Sequence, residues 1–342
     1  MSFNYKSILV TGGAGAIGSN LVNYLIDQHS VERIIILDNF ISGDFLNIKD
    51  SSKIILVKGD IVNEVDLKRV FNYKPQIVYH LAAFFANQNS VDYPEKDLNV
   101  NILGTLRLLE YSNLSNNVEK FIYASSGCSI YGSESPLPLK EDYFSMFLSS
   151  PYQISKMTGE LYCNFYLKHY GLKIVKARFF NSYGPGELPG QYRNVIPNFI
   201  FWGLNQKPLP LTGDNEMTRD FTFVGDIVQG LSKCATVEKA VGEEFNLASG
   251  REIKITHLAK LVNKYTNNPS GTKSIGRRKW DTKKRILASI SKSEKILGYK
   301  PNKDFEEGLL ETIDWFRNNF DYINKKASFS IGTSSALETE KK

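Results

Sequence analysis

The sequence predicts an α/β protein built on a doubly wound parallel sheet. Short apolar runs rich in β-branched residues alternate with amphipathic stretches of helical length through the first half of the chain. The runs are residues 7–11, 33–37, 54–58, 77–81, 121–125 and 173–180. Continuous apolar strands separated by helices are typical of parallel strands covered on both faces. A glycine-rich turn directly after the first run supports the same class, because such sheets place phosphate-binding turns there.

The second half of the chain has a different texture. From about residue 181, proline and glycine become frequent, as in YGPGELPGQYRNVIPNF, and the alternation of strands and helices lapses. We therefore expect residues 1–180 to form the sheet domain. Residues 181–325 should form a smaller, mixed α/β region partly interleaved with the sheet. Residues 326–342 are rich in Ser and Lys and lack periodicity, which predicts a disordered tail.

The bulk composition is that of a soluble globular protein, with 342 residues, 42% hydrophobic and 23% charged. Cys128, Cys163 and Cys234 lack CxxC spacing, and the four histidines show no ligand spacing. The sequence thus predicts neither a disulfide scaffold nor a metal site, and it favours a reduced, cytoplasmic location. No signal-like apolar segment and no run of 18 apolar residues occurs, so we expect neither secretion nor a membrane partner.

The formal net charge of +6 is mild, and basic residues cluster in RRKWDTKKR at 277–285. Two interpretations stay open for this cluster: a solvated surface, or part of a pocket for a phosphorylated small molecule. No aromatic-basic recognition motif accompanies it, so we expect no nucleic-acid partner.

A glycine-rich turn follows the first predicted strand. ILVTGGAGAIGSNLVNYLI contains G-x-G-x-x-G at Gly13, Gly15 and Gly18, and a second frame of glycines at Gly12, Gly15 and Gly18. Glycine is needed because the main chain must approach a pyrophosphate without an intervening Cβ. The helix that follows offers unpaired N–H groups to that anion. The pattern predicts a dinucleotide site.

Residues at the ends of the next strands extend this site. Asp38 ends the second strand, twenty residues after Gly18, where a carboxylate accepts from the ribose hydroxyls of adenosine. No Arg or Lys follows in DNFISG to bind a 2′-phosphate, which favours NAD over NADP. Asp60 follows the third strand, within reach of the adenine amino group, and the small Ala82 and Ala83 follow the fourth.

A tyrosine–lysine pair supplies the candidate chemistry. Tyr152 and Lys156 are four residues apart on a predicted helix that begins at Pro151, so they share one face. A free phenol has a pKa of about 10. A neighbouring ammonium and a cationic nicotinamide both favour the phenolate and should lower this pKa. The pair is therefore predicted to act as a general base beside NAD.

Nine motifs, taken in order, carry a family resemblance. They are TGGAGAIGS, Asp38, GDI, HLAA, NILGT, SSGCSIYG, YQISK, RFFNSYGPG and TRDFTFVGDI. With them the chain resembles the extended short-chain dehydrogenases/reductases that modify nucleotide sugars, over about residues 6–320. The resemblance implies a Rossmann sheet that binds NAD, a nucleoside-diphosphate sugar bound under the C-terminal region, and a homodimer.

The resemblance also implies roles for individual residues. Those expected to bind the cofactor are Gly12, Gly15, Ala16, Ile17, Gly18, Asp38, Asn39, Asp60, Ile61, Leu81, Ala82, Ala83, Asn101, Tyr152 and Lys156. Those expected to bind the substrate are Ser126, Asn181, Asn194, Val195, Arg219 and Arg278. Arg285 falls near the position that surrounds sugar C6, where a cation would favour a uronate, although Ile286 fits that position equally well.

The loop after the fifth strand is implied to carry a Ser or Thr that assists Tyr152. Counting from the strand gives Ser126, while counting back from Tyr131 gives Gly127, so Ser125 and Ser129 remain candidates. The related 4,6-dehydratases place an Asp-Glu pair just after this hydroxyl, and the decarboxylating branch a Glu.

Cys128 and Ser129 occupy those positions here, which favours a nucleotide-sugar 4-epimerase acting through a transient 4-keto sugar. Its substrate would be a UDP-hexose, UDP-N-acetylhexosamine or UDP-glucuronate. The alternatives are a dehydratase, a 4-oxidising decarboxylase, or a NAD-binding protein without turnover.

Overall fold

A computed structural model describes residues 3–213, 216–276, 281, 283–327 and 329. These residues form twelve strands and thirteen α-helices. The strands are β1 (Ser7–Thr11), β2 (Arg33–Asp38), β3 (Ile54–Lys58), β4 (Ile77–His80), β5 (Lys120–Ser126), β6 (Ile174–Phe179), β7 (Asn181–Tyr183), β8 (Leu209–Thr212), β9 (Thr218–Phe223), β10 (Glu244–Leu247), β11 (Glu252–Lys254) and β12 (Thr272–Ile275).

The helices connect these strands and pack on them. They are α1 (Ala16–Ile26), α2 (Glu64–Phe71), α3 (Asn87–Asp92), α4 (Pro94–Asp97), α5 (Gly104–Leu114), α6 (Gly127–Ile130), α7 (Pro151–Tyr170), α8 (Val195–Leu204), α9 (Val224–Thr236), α10 (Ile255–Tyr265), α11 (Ser291–Leu297), α12 (Phe305–Asn318) and α13 (Phe320–Lys326). A π-helical segment, Leu98–Leu103, joins α4 to α5. None of the helices in the described ranges combines the length and apolar character that crossing a bilayer requires.

Seven parallel strands form the central sheet, in the order β10-β6-β5-β4-β1-β2-β3. Both faces are covered, because alternate side chains of one strand enter different apolar clusters. On β1, Ile8 and Val10 pack in the cluster with α1 and α9, whereas Leu9 packs in the cluster with α2, α5 and α7. The double burial explains why the strands read as uninterrupted apolar runs. This confirms the predicted fold class, and each of the six predicted strands is correct to within one residue.

Two smaller sheets follow the central one. The order of one is β11-β9-β7, and the other pairs β12 with β8. A separate apolar cluster, with Phe199 and Trp202 of α8, Leu258 of α10 and Phe316 of α12, lies beneath them. The edge strand β10 of the central sheet also comes from this later part of the chain. The predicted tail at 326–342 lies outside the described residues except for positions 326, 327 and 329.

Candidate functional site

A cavity of about 400 Å³ opens along the carboxyl ends of the parallel strands. Open α/β sheets bind ligands at this edge, where the chain turns away to opposite faces. Two ends of the cavity are built from different parts of the chain. We call the end lined by Gly12, Gly18, Asp38, Asp60 and Ala82 the cradle end, and the end lined by Ser126, Cys128, Asn181, Arg219 and Lys283 the polar end.

The glycine turn at the cradle end is fixed by close main-chain packing. Gly12 has a φ of +68°, and a Cβ placed on it would lie 2.7 Å from the backbone nitrogen of Ala82. A Cβ on Gly18 would lie 2.1 Å from the carbonyl oxygen of Gly12. Within the described chain no side chain caps the amino end of α1, which begins at Ala16. The turn therefore leaves main-chain N–H groups available to an anion such as a pyrophosphate.

Two carboxylates, those of Asp38 and Asp60, line the cradle end of the cavity. The Asp38 carboxylate accepts from the backbone N–H groups of Ala14, at 2.9 Å, and Phe40, at 2.8 Å. Burial is the largest influence and raises the pKa of Asp38, although both hydrogen bonds oppose this effect. Asn39 donates to Asp60 at 2.9 Å. Glycines that exclude side chains and an oriented carboxylate for ribose hydroxyls fit a dinucleotide.

Most of the residues predicted to bind the cofactor line this one cavity. They are Gly12, Gly15, Ala16, Ile17, Gly18, Asp38, Asn39, Asp60, Ile61, Leu81, Ala82, Ala83, Tyr152 and Lys156. Asn101 is placed differently. It is buried behind the wall, where its amide accepts from the Phe84 N–H at 2.8 Å and donates to the Phe84 carbonyl at 3.1 Å. Asn101 therefore positions the loop after β4 and does not line the cavity.

Helix α7 brings Tyr152 and Lys156 together between the two ends. Ser150 caps its amino end by accepting from the Gln153 N–H, and Pro151 is the first helical residue. Both functional side chains are buried. The Lys156 Nζ lies 5.7 Å from the centre of the Tyr152 ring and donates to the Ala124 carbonyl at 2.9 Å. The ammonium is thus held beside the phenol.

Burial controls the protonation of both groups. It raises the pKa of Tyr152 above its ordinary value, Asp97 raises it further, and a hydrogen bond with Ser126 lowers it. The predicted lowering of the Tyr152 pKa by a neighbouring ammonium together with a cationic nicotinamide stays a prediction; among the residues of the chain alone, desolvation is the largest influence. Burial also lowers the pKa of Lys156 to about 8, although the charge of Asp97 opposes this shift. At neutral pH most molecules carry the ammonium.

Asp97 is a buried carboxylate that the sequence analysis missed. Its side chain accepts from Asn101 at 2.7 Å and hydrogen bonds with Ser155. Burial raises the pKa of Asp97, and the charge of Lys156 lowers it. The i,i+4 spacing of Asp97 and Asn101, the first residue of NILGT, was the signal available in the sequence.

The structure distinguishes the serine candidates of the loop after β5. Ser126 is the candidate whose hydroxyl interacts with Tyr152, and it also hydrogen bonds to the Ser129 hydroxyl at 2.9 Å. The Ser125 hydroxyl is buried and has no partner among the described residues. A larger residue than glycine would clash at position 127, because a Cβ on Gly127 would lie 2.1 Å from the Phe180 ring. Counting from the strand thus selects the hydroxyl that faces Tyr152.

Side chains from distant segments meet at the polar end. Asn181, Asn194, Val195 and Arg219 all line the cavity, as the resemblance implies. The Cys128 thiol donates to the Asn181 amide oxygen at 3.3 Å, and the Asn194 amide donates to Glu187 at 3.0 Å. Arg219 forms an ion pair with Asp281 at 3.1 Å. Arg278 lies outside the described residues.

The assignment of Arg285 to the region around sugar C6 needs correction. Its side chain is 56% exposed and pairs with Glu252 on the surface, with 2.5 Å between Nη2 and Oε2. Ile286, which fitted the position equally well in the sequence, is buried and lines the cavity. Lys283, two residues before Arg285, also lines it. Among the described basic residues of this cluster, Lys283 lines the cavity and Arg285 lies on the surface.

Residues 8–248 match the model of a family described as NAD dependent epimerase/dehydratase family. This match spans more than half of the chain and includes the cradle end, Ser126, Tyr152 and Lys156. The chain belongs to the NAD dependent epimerase/dehydratase family. Its cofactor is therefore NAD, which the glycine turn and Asp38 fit.

Other members of the epimerase/dehydratase family are similar over nearly their whole length. A putative UDP-glucose 4-epimerase of Methanocaldococcus jannaschii is 35% identical over 314 residues, which cover 91% of this chain and 99% of that one. Among solved structures, an epimerase of the methanogen Methanothermobacter thermautotrophicus is 50% identical, with a TM-score of 0.93, over 95% of this chain and 96% of that chain.

A second solved structure is a UDP-N-acetylglucosamine 4-epimerase of Methanobrevibacter ruminantium in complex with UDP-N-acetylmuramic acid. It is 32% identical, with a TM-score of 0.85, and the match covers 93% of this chain and all of that chain. This chain is thus similar over almost its full length to proteins that are named as 4-epimerases of UDP-sugars.

Proposed function

We propose that this family member is an NAD-dependent epimerase that inverts C4 of a nucleotide-linked sugar. One observation carries the proposal: Ser126, Tyr152 and Lys156 line the same cavity as the glycine cradle, while Gly127, Cys128 and Ser129, directly after Ser126, carry no carboxylate. Removal and return of a hydride at one carbon needs a single proton-transfer group. Elimination of water or loss of CO₂ needs further acid or base groups.

Tyr152 is the proposed general base. As the phenolate, its oxygen takes the proton of the sugar 4-hydroxyl as C4 becomes a ketone, and the resulting phenol returns this proton when the alcohol is restored. The chemistry that bound NAD would supply beside this residue is reversible hydride transfer at C4. The Ser126 hydroxyl holds the phenol by its hydrogen bond, and the Lys156 ammonium favours the phenolate.

Residues of the chain hold the reactants around this pair. The Gly12–Gly18 turn and Asp38 would bind the pyrophosphate and the ribose of the cofactor. Asn181, Asn194 and Arg219 are the proposed contacts to the nucleotide sugar, and Arg219 suits a diphosphate because a guanidinium forms paired hydrogen bonds with phosphate oxygens. Arg278 remains a prediction for the same role.

The carboxylates that line the cavity in its described part argue against dehydration and decarboxylation. Asp38 and Asp60 lie at the cradle end, where backbone N–H groups and Asn39 engage them. Glu187 accepts from Asn194, and Asp281 pairs with Arg219. Each of these acids already has a partner, and Cys128 and Ser129 stand where the related dehydratases carry an Asp-Glu pair.

The substrate that we propose is a UDP-linked hexose, N-acetylhexosamine or uronate. Relatives bearing the names UDP-glucose 4-epimerase and UDP-N-acetylglucosamine 4-epimerase support the uridine nucleotide and the C4 chemistry. The proposed assembly is a homodimer. Leu161 and Phe165 of α7, which are 61% and 49% exposed, form the apolar face that a partner would cover.

Incubation of the protein with UDP-glucose, UDP-N-acetylglucosamine and UDP-glucuronate, followed by proton NMR, tests the proposal. A C4 epimer is the expected product of at least one sugar, without added oxidant or reductant, because the hydride returns to its carbon. A 4-keto-6-deoxy sugar would identify a dehydratase, and UDP-pentose with CO₂ a decarboxylase. Tight NAD binding without any product would identify a non-catalytic NAD-binding protein.

A further inference from the structure

Lys283 is a cation at the polar end for which the sequence analysis gave no role. Its Nζ donates to the carbonyl oxygen of Cys128 at 3.0 Å. Cys128 lies in α6, two residues after Ser126, whose hydroxyl bonds to Tyr152, so the ammonium is anchored close to the serine that assists Tyr152. A lysine ammonium has three N–H donors, and this contact uses one of them.

The other cations along the cavity have acidic neighbours. Arg219 pairs with Asp281. The charge of Asp97 acts on Lys156, and that of Glu187 acts on Arg193. The charge of Asp281 likewise acts on Lys283, but no hydrogen bond or ion pair in the described chain joins the Lys283 ammonium to a carboxylate, and its hydrogen-bond partner is the neutral Cys128 carbonyl.

Lys283 is partly buried, and desolvation makes this arrangement costly without a ligand. Desolvation lowers the pKa of Lys283 to about 8, with Arg219 acting in the same direction and Asp281 and Cys128 opposing it. At neutral pH the group is still mainly an ammonium. A buried charge is stabilised when an anion completes its hydrogen bonds. The position therefore suits an anionic group of the substrate.

We propose that Lys283 binds a carboxylate on the sugar, so that the enzyme prefers a nucleotide-linked acidic sugar over a neutral one. This inference rests on the proposed function, because it assumes that the sugar lies beside Tyr152. The diphosphate is the other anion that a nucleotide sugar offers. The sugar carboxylate is favoured because Lys283 donates to the carbonyl of Cys128, two residues after Ser126, and Ser126 belongs to the sugar site. Ile286, at the position that the family resemblance relates to sugar C6, also lines this cavity.

Binding measurements on three ligands test this inference. UDP-glucuronate, UDP-glucose and UDP would be titrated by calorimetry into the NAD-loaded wild type, Lys283→Met and Lys284→Met, the last an exposed neighbouring lysine as the matched control. The wild type should bind UDP-glucuronate at least roughly tenfold more tightly than UDP-glucose. Lys283→Met should weaken UDP-glucuronate roughly 30-fold or more, and it should change UDP-glucose and UDP little.

Other patterns overturn the inference. An equal loss of affinity for all three ligands in Lys283→Met would mean that Lys283 binds the diphosphate. A wild type that binds UDP-glucuronate no more tightly than UDP-glucose would mean that no residue of the site binds the sugar carboxylate. Lys283→Arg keeps the charge and should keep the preference, which provides a second variant if Lys283→Met does not fold. The NMR assay on the wild type tests a separate claim. Absence of any C4 epimer in that assay rejects the proposed function, whereas the calorimetric affinities support or reject the role of Lys283.

Discussion

At the cradle end of the cavity the main chain determines what can bind, whereas at the polar end side chains do. Gly12 and Gly18 shape the cradle through the side chains that they lack, and the Asp38 carboxylate is oriented by two backbone N–H groups. The polar end depends on charges and amides, such as Arg219 and Lys283, from segments far apart in sequence. A site shaped by the main chain, such as the cradle end, suits a cofactor that all members of a family share. A site shaped by side chains, such as the polar end, suits a sugar that differs between members.

Tyr152 lies where the two ends meet, so its loss should have the largest effect. Tyr152→Phe removes the group that carries the 4-hydroxyl proton and should lower kcat by about 10³-fold. NAD content should stay unchanged, because the glycine cradle remains intact. The measurement is the initial rate of epimer formation by NMR, with bound NAD determined after denaturation.

Tyr162→Phe is the matched control, since it makes the same change on the same helix. It should retain the rate of the wild type. A Tyr152→Phe variant that is active within a few fold would assign proton transfer to another group.

At the cradle end, Gly12→Ala should interfere with cofactor binding. The added Cβ meets the main chain of Ala82 at 2.7 Å, so the turn must shift. NAD affinity should fall at least roughly tenfold, measured by fluorescence titration of the stripped protein.

Gly171→Ala separates backbone strain from contact. Gly171 has a similar φ of +73°, but a Cβ there meets nothing within 4 Å. It should cost about 1–2 kcal/mol of unfolding free energy and leave NAD affinity unchanged. Equal losses of NAD affinity in both variants would mean that strain, and not the approach to Ala82, governs the cradle.

The contrast between the ends also explains what the sequence could predict. The strands, the turn and Asp38 follow from local patterns, because strand ends of a parallel sheet meet at one edge. The family resemblance implies a cofactor contact for Asn101, whereas its amide hydrogen bonds to the Phe84 backbone and to Asp97. Arg285 and Lys283 differ by two positions, and only the tertiary structure shows which one turns inward.

Asp97 should set the alkaline limit of activity, with a smaller effect than the first two changes. The ammonium of Lys156 is lost as pH rises through its pKa of about 8, so kcat/KM should fall above that pH. Glu160 and Cys163 also raise the pKa of Lys156, but Asp97 is the largest opposing charge. Asp97→Asn removes this charge and should move the alkaline limb to lower pH.

Profiles of kcat/KM from about pH 6 to about pH 10 measure this shift. Asp142→Asn, at an exposed position, serves as the control and should leave the profile in place. An unmoved limb in Asp97→Asn would show that another group determines the alkaline decline.

The smallest effect is expected outside the cavity. Arg285→Ala removes an exposed ion pair with Glu252 and should leave the thermal unfolding midpoint close to that of the wild type. Turnover of UDP-glucuronate and UDP-glucose should both stay within about twofold of the wild type, since Arg285 does not line the cavity. If Arg285→Ala lowered the turnover of UDP-glucuronate but not that of UDP-glucose, Arg285 would be the residue that binds the sugar carboxylate, and the assignment to Lys283 would be wrong.

The fate of the hydrogen at C4 tests the central claim most directly. A UDP-sugar that the wild type turns over would be prepared with deuterium at C4, and its product analysed by NMR and mass spectrometry. Transient oxidation at C4 predicts an inverted sugar that keeps its deuterium on C4, because the hydride never exchanges with water. Inversion with loss of the label to solvent, or a product unchanged at C4, would contradict it.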